Sequence, residues 1–149
     1  MLYNHVLVAV DLIEECRSVA DHAVTLAKAL DARLTLLHVV EPLAMAYGGD
    51  VPMDLSMLQQ QQFEQAKEKM QVFAGDYALP DDQLQIAFGH PRQEIHRVAN
   101  EQACDLIVVG SHGRHGLALL LGSTANDVLH GAPCDVIAVR LGKKDKPKK

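Results

Sequence analysis

The sequence predicts an α/β protein: a doubly wound, five-stranded parallel sheet with helices on both faces. Five short apolar runs alternate along the chain with segments of helical periodicity. Four of these runs are apolar almost throughout, which is typical of strands buried on both faces of a parallel sheet. The segments Cys104–Val109 (CDLIVV) and Cys134–Val139 (CDVIAV) also repeat each other one strand–helix unit apart. With right-handed crossovers, this order of elements gives one doubly wound sheet.

The predicted strands are short and rich in Val, Ile and Leu. In chain order they are 5–10 (HVLVAV), 34–40 (LTLLHVV), 83–88 (QLQIAF), 105–109 (DLIVV) and 135–139 (DVIAV). The third differs from the others because apolar residues alternate with Gln and Ala along it. Alternation indicates a strand with one less buried face, so the third strand is predicted at an edge of the sheet.

Helical patterns fill the segments between the strands. Residues 14–30 carry one apolar stripe, and residues 54–77 carry another with apolar side chains three and four positions apart. Pro91 suits the first turn of a third helix, and a fourth helix is predicted from about Gly122 to Gly131. The predicted inner face of the third helix consists of Ile95, Val98 and Ala99. The long connection 41–53 is predicted to be a surface flap.

Charge is unevenly distributed along the 149 residues, whose net charge is −5. Residues 143–149 hold five of the 14 basic residues and one of the 19 acidic ones, so nine basic and 18 acidic residues remain in the body. We therefore expect one domain over residues 1–142 and a disordered basic tail over 143–149. An acidic body argues against a nucleic-acid partner, which requires neutralisation of phosphates.

Other classes of protein are also disfavoured. No apolar run approaches the roughly 20 residues that span a bilayer, and residues 1–5 lack the pattern of a secretion signal. A cytoplasmic protein without a membrane partner is expected. The three cysteines form no CxxC pair and are interpreted as reduced, buried apolar residues. His112 and His115 have no Cys or carboxylate beside them in their loop, so no metal site is expected.

The fifth strand raises a question about assembly. Its residues Val136, Ile137, Ala138 and Val139 are as apolar as those of an interior strand. An exposed apolar edge promotes aggregation unless another strand covers it. Pairing with the same strand of a second copy across a two-fold axis would provide that cover, so a homodimer through strand 5 is predicted. Cover by the C-terminal tail is the alternative.

A ligand site is predicted where the order of the strands reverses. In open α/β sheets, ligands bind beyond the carboxyl ends of the strands at such a switch point. With strand 1 central, the switch lies between strands 1 and 4. Asp11 ends strand 1 and Gly110 ends strand 4, so these two residues are candidates for the site.

The loop that follows strand 4 is rich in glycine. Residues 110–124 read GSHGRHGLALLLGST and contain four glycines. Small residues let the backbone approach a phosphate, and unpaired N–H groups at a helix start attract anions. Arg114 adds positive charge, and Ser123 or Thr124 could cap the helix or donate to a phosphate oxygen. Two plainer roles stay open: the glycines could serve turn geometry alone, and Asp11 could cap the first helix.

Several motifs resemble the universal stress protein family, and the resemblance covers essentially the whole chain. They are Val8-Ala-Val-Asp11, Leu37-His-Val39, Gly89-His-Pro91 with Glu94-Ile95, and Val108-Val-Gly110-Ser-His-Gly113-Arg114 followed by Gly122-Ser123. The resemblance implies the strand order 3-2-1-4-5. It also implies homodimers formed through strand 5.

The resemblance further implies a ligand, because one branch of the family binds ATP through a G-x2-G-x9-G-[ST] loop while another branch lacks the loop. By position, ATP or AMP, with Mg²⁺ possible beside ATP, would be held by Asp11, Val39, Gly110, Gly113, Gly122 and Ser123, with Arg114 and Thr124 as further candidates. Asp11 and the backbone of Val39 would hold the adenosine. The glycine loop and its hydroxyl would hold the phosphates.

The chain departs from that pattern in two places. Eight residues, 114–121, precede Gly122, which is one fewer than in the ATP-binding pattern. Either the loop is shorter, or Ser123 and Thr124 take the places of the glycine and the hydroxyl residue. In addition, Leu12-Ile13 follows Asp11, and two large apolar side chains could crowd a triphosphate.

Three functions are compatible with these patterns. The first is a dimeric stress-response module whose occupancy by ATP or AMP is read by a partner. The second is a weak enzyme that hydrolyses ATP or phosphorylates itself on Ser123 or Thr124. Phosphoryl transfer needs a positioned base and usually Mg²⁺, and Asp11 is the one well-placed carboxylate, so an efficient catalyst is not expected. The third is a stress protein that binds protein partners with its loop empty.

Overall fold

A parallel sheet of five strands forms the centre of the computed structural model, which describes residues 2–41, 55–111 and 123–140. Residues 55, 123 and 124 are described by their backbone alone. The strands are β1 (His5–Ala9), β2 (Arg33–Val40), β3 (Leu84–Phe88), β4 (Leu106–Gly110) and β5 (Asp135–Val139). Their order is β3-β2-β1-β4-β5, which confirms the predicted fold class, the strand order and the edge position of the third strand.

The described helices follow the predicted segments with shifted ends. They are α1 (Arg17–Leu30), α2 (Leu55–Gly75), α3 (Pro91–Glu101) and α4 (Ser123–Leu129). A short 3₁₀ turn, Glu14–Cys16, precedes α1, so the helix begins three residues later than its apolar stripe indicated. A second 3₁₀ turn, Asp81–Gln83, takes Gln83 out of the strand to which the sequence pattern assigned it.

The helices cover both faces of the sheet, and each face has its own apolar core. Val6 and Val8 of β1 are fully buried in one core, which contains the buried side chains of α1 and α2. Leu7 is buried in the other core, together with side chains of α3 and α4. Successive side chains of a strand point to opposite faces, so a central strand covered on both faces is apolar throughout. This packing explains the continuous apolar runs.

The amino-terminal end of β1 is anchored by a carboxylate. Asp105 accepts hydrogen bonds from Asn4 N–H at 2.9 Å and from His5 N–H at 2.9 Å. Burial acts to raise the pKa of Asp105, but these N–H groups outweigh it and hold the pKa below its ordinary value. Two backbone donors at the start of the central strand are thereby satisfied.

The side chain of His5 is buried beneath this anchor. Its Nδ1 lies 3.2 Å from the Gln102 carbonyl and its Nε2 lies 2.9 Å from the Thr35 hydroxyl. Burial lowers the pKa of His5, and the charge of Arg33 acts in the same direction. Burial therefore favours the neutral form of this imidazole.

The remaining structural predictions concern the cysteines, β5 and two segments that the structure does not describe. Cys16, Cys104 and Cys134 are free thiols as predicted, although Cys134 is only half-buried. At the other end of the sheet, β5 pairs with β4, and Ile137 of β5 is 38% exposed. The predicted flap beyond Glu41 and the predicted tail lie outside the described residues.

Candidate functional site

The chain turns sharply where β1 ends. Val10 N–H donates to the Leu37 carbonyl at 3.0 Å, which extends the pairing with β2 by one bond. The chain then bends, because Ile13 N–H bonds the Asp11 carbonyl at 2.8 Å and Cys16 N–H bonds the Ile13 carbonyl at 3.0 Å. Asp11 therefore lies at the corner between the central strand and the first helix.

Among the described residues, the Asp11 side chain makes no contact that builds the fold. Within the described ranges its carboxylate has no hydrogen bond and no ion pair. The cap positions of the 3₁₀ turn and of α1 are Ile13 and Cys16, and neither helix start has a side-chain cap bond. The alternative in which Asp11 caps the first helix is therefore wrong.

The thiol of Cys16 lies beside Asp11. Burial raises the pKa of Cys16 to about 11, and the negative charge of Asp11 acts in the same direction. Cys16 is thus a neutral thiol at physiological pH and belongs to the apolar core.

Val39 presents its backbone to the space beyond the end of β1. Leu37 C=O accepts from Val10 on the β1 side, whereas Val40 C=O accepts from Gly89 N–H at 3.0 Å on the β3 side. The backbone groups of successive strand residues point to opposite neighbouring strands, so those of Val39 point to the β1 side. The Val39 side chain packs against the core under α3 and α4. Val39 therefore offers a donor and an acceptor at this edge.

Gly110 of β4 presents its backbone to the space beyond the end of β1 from the opposite side. The pairing of β1 with β4 extends to Val8 opposite Val108. Gly110 is paired with Val139 of β5, and Ser111 N–H donates to the Val139 carbonyl at 2.7 Å. The same alternation then directs the backbone groups of Gly110 to the β1 side. The structure thus brings the predicted residues Asp11, Val39 and Gly110 to one place, at the switch between β1 and β4.

The structure does not describe the remaining predicted site residues, or describes only their backbone. Gly113, Arg114 and Gly122 lie outside the described residues. Ser123 and Thr124 form the first turn of α4, and their side chains lie outside the description as well.

The two apolar residues after Asp11 line one cavity with residues of α2. Leu12 packs against the core under α1 and α2. Ile13 lines a cavity of about 430 Å³ together with Val72 and Phe73 of α2. Ile13 is 42% exposed, so the crowding of a triphosphate by this pair stays a prediction.

One further side chain at this edge was not singled out from the sequence. His38 of β2 lies with its Nδ1 2.8 Å from the Val10 carbonyl, one residue before Asp11. A signal was present, since His38 is the polar side chain between Leu37 and Val39 near the end of an apolar strand.

The described part of the chain also bears on metal binding and on membrane insertion. No group of three or more His, Cys, Asp or Glu residues that could hold a metal ion occurs in the described part of the chain. Among the helices of residues 2–41, 55–111 and 123–140, none has the length and apolarity needed to cross a membrane.

Comparison with known proteins agrees with the fold and with the motifs. Residues 2–140 match the sequence model of the universal stress protein family. The chain belongs to this family. Universal stress protein A homolog 2 of Coxiella burnetii is 41% identical over 143 residues, which cover 93% of this chain and 96% of the relative.

Solved structures of the family are also similar. The universal stress protein UspA of Lactobacillus plantarum is 28% identical, with a TM-score of 0.75 over 94% of this chain and 99% of that one. A universal stress protein crystallised in complex with cAMP is 24% identical, with a TM-score of 0.63 over 95% of this chain and all of that one (100%). These likenesses agree with the parallel sheet and its strand order.

Proposed function

We propose that this universal stress protein is a stress-response binding module that holds an adenine nucleotide, ATP or AMP, at the switch between β1 and β4. The observation that carries the proposal is the set of polar groups left unused at this edge. The Asp11 carboxylate has no partner among the described residues, and the backbones of Val39 and Gly110 face the gap on either side of it. Polar groups converging at a switch point are typical of a ligand site.

The chemistry of these groups suits a nucleoside. The N–H and C=O of Val39 form a donor and acceptor pair, which complements the donor and acceptor that adenine presents on its edges. The Asp11 carboxylate accepts hydrogen bonds, as ribose hydroxyls require. A family member of the same fold crystallised with cAMP, so this fold can accommodate an adenine nucleotide.

The phosphates are assigned to the loop after β4. Gly113 and Gly122 would allow close approach of the backbone, Arg114 would supply positive charge, and Ser123 or Thr124 would supply a hydroxyl. Mg²⁺ would accompany ATP and neutralise part of its charge. Because the spacer before Gly122 is one residue shorter than in the ATP-binding pattern, either Ser123 or Thr124 would supply that hydroxyl.

The rest of the proposal concerns the state of the protein. One domain over residues 1–142, followed by a basic tail over 143–149, forms a homodimer through β5 in the cytoplasm. The exposed side chain of Ile137 on an edge strand supports this interface, because an apolar edge is stabilised by a second strand.

Calorimetric titration with ATP and AMP, together with native mass spectrometry of the freshly purified protein, tests the proposal. Asp11→Asn is expected to weaken binding about 10–100-fold, the range for a hydrogen bond to a charged group. Asp31→Asn is the matched control: it makes the same change at the end of α1, where φ is 56° and Asn is tolerated. No heat at millimolar ATP with no retained nucleotide mass would refute nucleotide binding, and equal affinities of the two variants would refute the role of Asp11.

A further inference from the structure

The hydrogen bond of His38 has a defined direction. Its Nδ1 lies 2.8 Å from the Val10 carbonyl, and a carbonyl oxygen can only accept. Nδ1 therefore carries the proton, and in the neutral ring Nε2 is left as an acceptor. The ring is half-buried at the carboxyl end of β2, on the strand position immediately before Val39.

This bond uses the Val10 carbonyl, which would accept from Val39 N–H if the parallel ladder continued. In a continued parallel ladder, Val10 N–H donates to Leu37 C=O and the next bond runs from Val39 N–H back to Val10 C=O. The first of these bonds is present at 3.0 Å. The second is not formed among the described residues, and the imidazole of His38 bonds the Val10 carbonyl instead.

We infer that His38 is a positioning residue of the proposed nucleotide site: it takes the Val10 carbonyl out of the sheet ladder and leaves Val39 N–H open to the base. The inference rests on the proposed function and deepens it. The same bond fixes the peptide plane between Val10 and Asp11. The orientation of the Asp11 Cα–Cβ bond depends on that plane, so the bond also orients the Asp11 side chain. One imidazole thus prepares both contacts to the nucleoside.

Two substitutions separate this role from simple support of the strand. His38→Leu removes the donor and keeps an apolar side chain, so the Val10 carbonyl becomes free to accept from Val39 N–H. His38→Asn keeps an N–H near the position of Nδ1 and is the conservative variant. His96→Leu is the matched control, because His96 Nε2 lies at the same 2.8 Å from a backbone carbonyl, that of Val128, but joins α3 to α4 on the other face of the sheet.

The decisive measurement is residue-resolved amide hydrogen exchange of the nucleotide-free protein by NMR. In His38→Leu the Val39 amide is expected to exchange about tenfold more slowly than in the wild type, because it gains a hydrogen bond. A merely supporting side chain would have the opposite effect, since its loss would loosen β2. His38→Asn and His96→Leu are expected to leave the exchange rate of the Val39 amide unchanged.

Binding is then compared by titration with ATP. His38→Leu is expected to lose about tenfold in affinity, and His38→Asn and His96→Leu are expected to stay within about threefold of the wild type. A Val39 amide that is already protected in the wild type, or that exchanges no more slowly in His38→Leu, overturns the inference alone. A wild type that binds no adenine nucleotide overturns the proposed function and the binding role of His38, whereas the exchange rates still test the ladder.

Discussion

Gly89, which links β3 to α3, allows the sharpest test of the fold around the site. Its φ is +146°, a conformation that is essentially restricted to glycine. A Cβ at this position would lie 3.0 Å from Cγ and 3.1 Å from Oε2 of Glu94. Glu94 has little freedom to move away, because its side chain is mostly buried and bonds Arg97 at 2.6 Å. Gly89→Ala therefore combines backbone strain with a steric clash.

The expected cost follows from these two effects. Backbone strain in this region costs about 1–3 kcal/mol, and displacing a packed side chain adds about 1 kcal/mol. The reduced entropy of the unfolded chain returns about 0.4–1 kcal/mol. We therefore expect Gly89→Ala to lower the free energy of unfolding by about 2–3 kcal/mol.

Urea denaturation followed by circular dichroism measures this loss. The matched control is Gly75→Ala at the end of α2, where a Cβ meets no atom within 4 Å and the change should stabilise by up to about 1 kcal/mol. In a Glu94→Ala background the clash disappears and the backbone strain stays, so Gly89→Ala should then cost about 1 kcal/mol less. If Gly89→Ala is as stable as Gly75→Ala, the strain assigned to Gly89 is absent.

Two further predictions concern assembly and pH. Ile137→Lys is expected to convert the proposed dimer to monomers or aggregates, as measured by light scattering after size exclusion. Val72→Lys is the control at a residue 73% exposed on α2, and it should not change the oligomeric state. A dimeric Ile137→Lys would exclude β5 as the interface. Because burial lowers the folded pKa of His5 below its ordinary value of 6.5, the unfolded chain binds the proton first as the pH falls. The free energy of unfolding should therefore decrease below about pH 6.5, and His5→Gln should weaken that decrease; an unchanged pH profile in His5→Gln would contradict this assignment.

The sequence predicted the elements better than the contacts between them. The apolar runs, the edge position of β3 and the strand-end position of Gly110 follow from patterns within a single segment, whereas Asp11 lies two residues beyond the end of β1. The bond between His38 and Val10 depends instead on the register between β1 and β2, which the pattern of either strand alone does not contain. For the same reason, the cap role considered for Asp11 could be excluded only from three-dimensional geometry.

Gly89 illustrates a second limit of sequence reasoning. It belongs to a motif with His90 and Pro91, but the motif does not give the physical reason for the glycine. The reasons are the φ of +146° and the side chain of Glu94, which would lie 3.0 Å from a Cβ at this position. A periodic pattern reports which face of a helix is buried, whereas a close approach of this kind depends on the angle at which the helix leaves the strand.

The two ends of the central strand differ in a way that bears on function. At the amino end, Asp105 binds the N–H groups of Asn4 and His5, so the backbone donors there are already satisfied. At the carboxyl end, β1 stops short of Val39 and Gly110, and the backbone groups of these residues face the vacated position. Val39 and Gly110 are half-buried, and under the proposed function a ligand that supplies their missing hydrogen bonds would stabilise the folded protein. The amino edge of the central strand is thus closed by hydrogen bonds of the fold, and the carboxyl edge is the one that the proposed function uses. On this reasoning, nucleotide should protect Val39 and Gly110 from exchange and leave Asn4 unaffected.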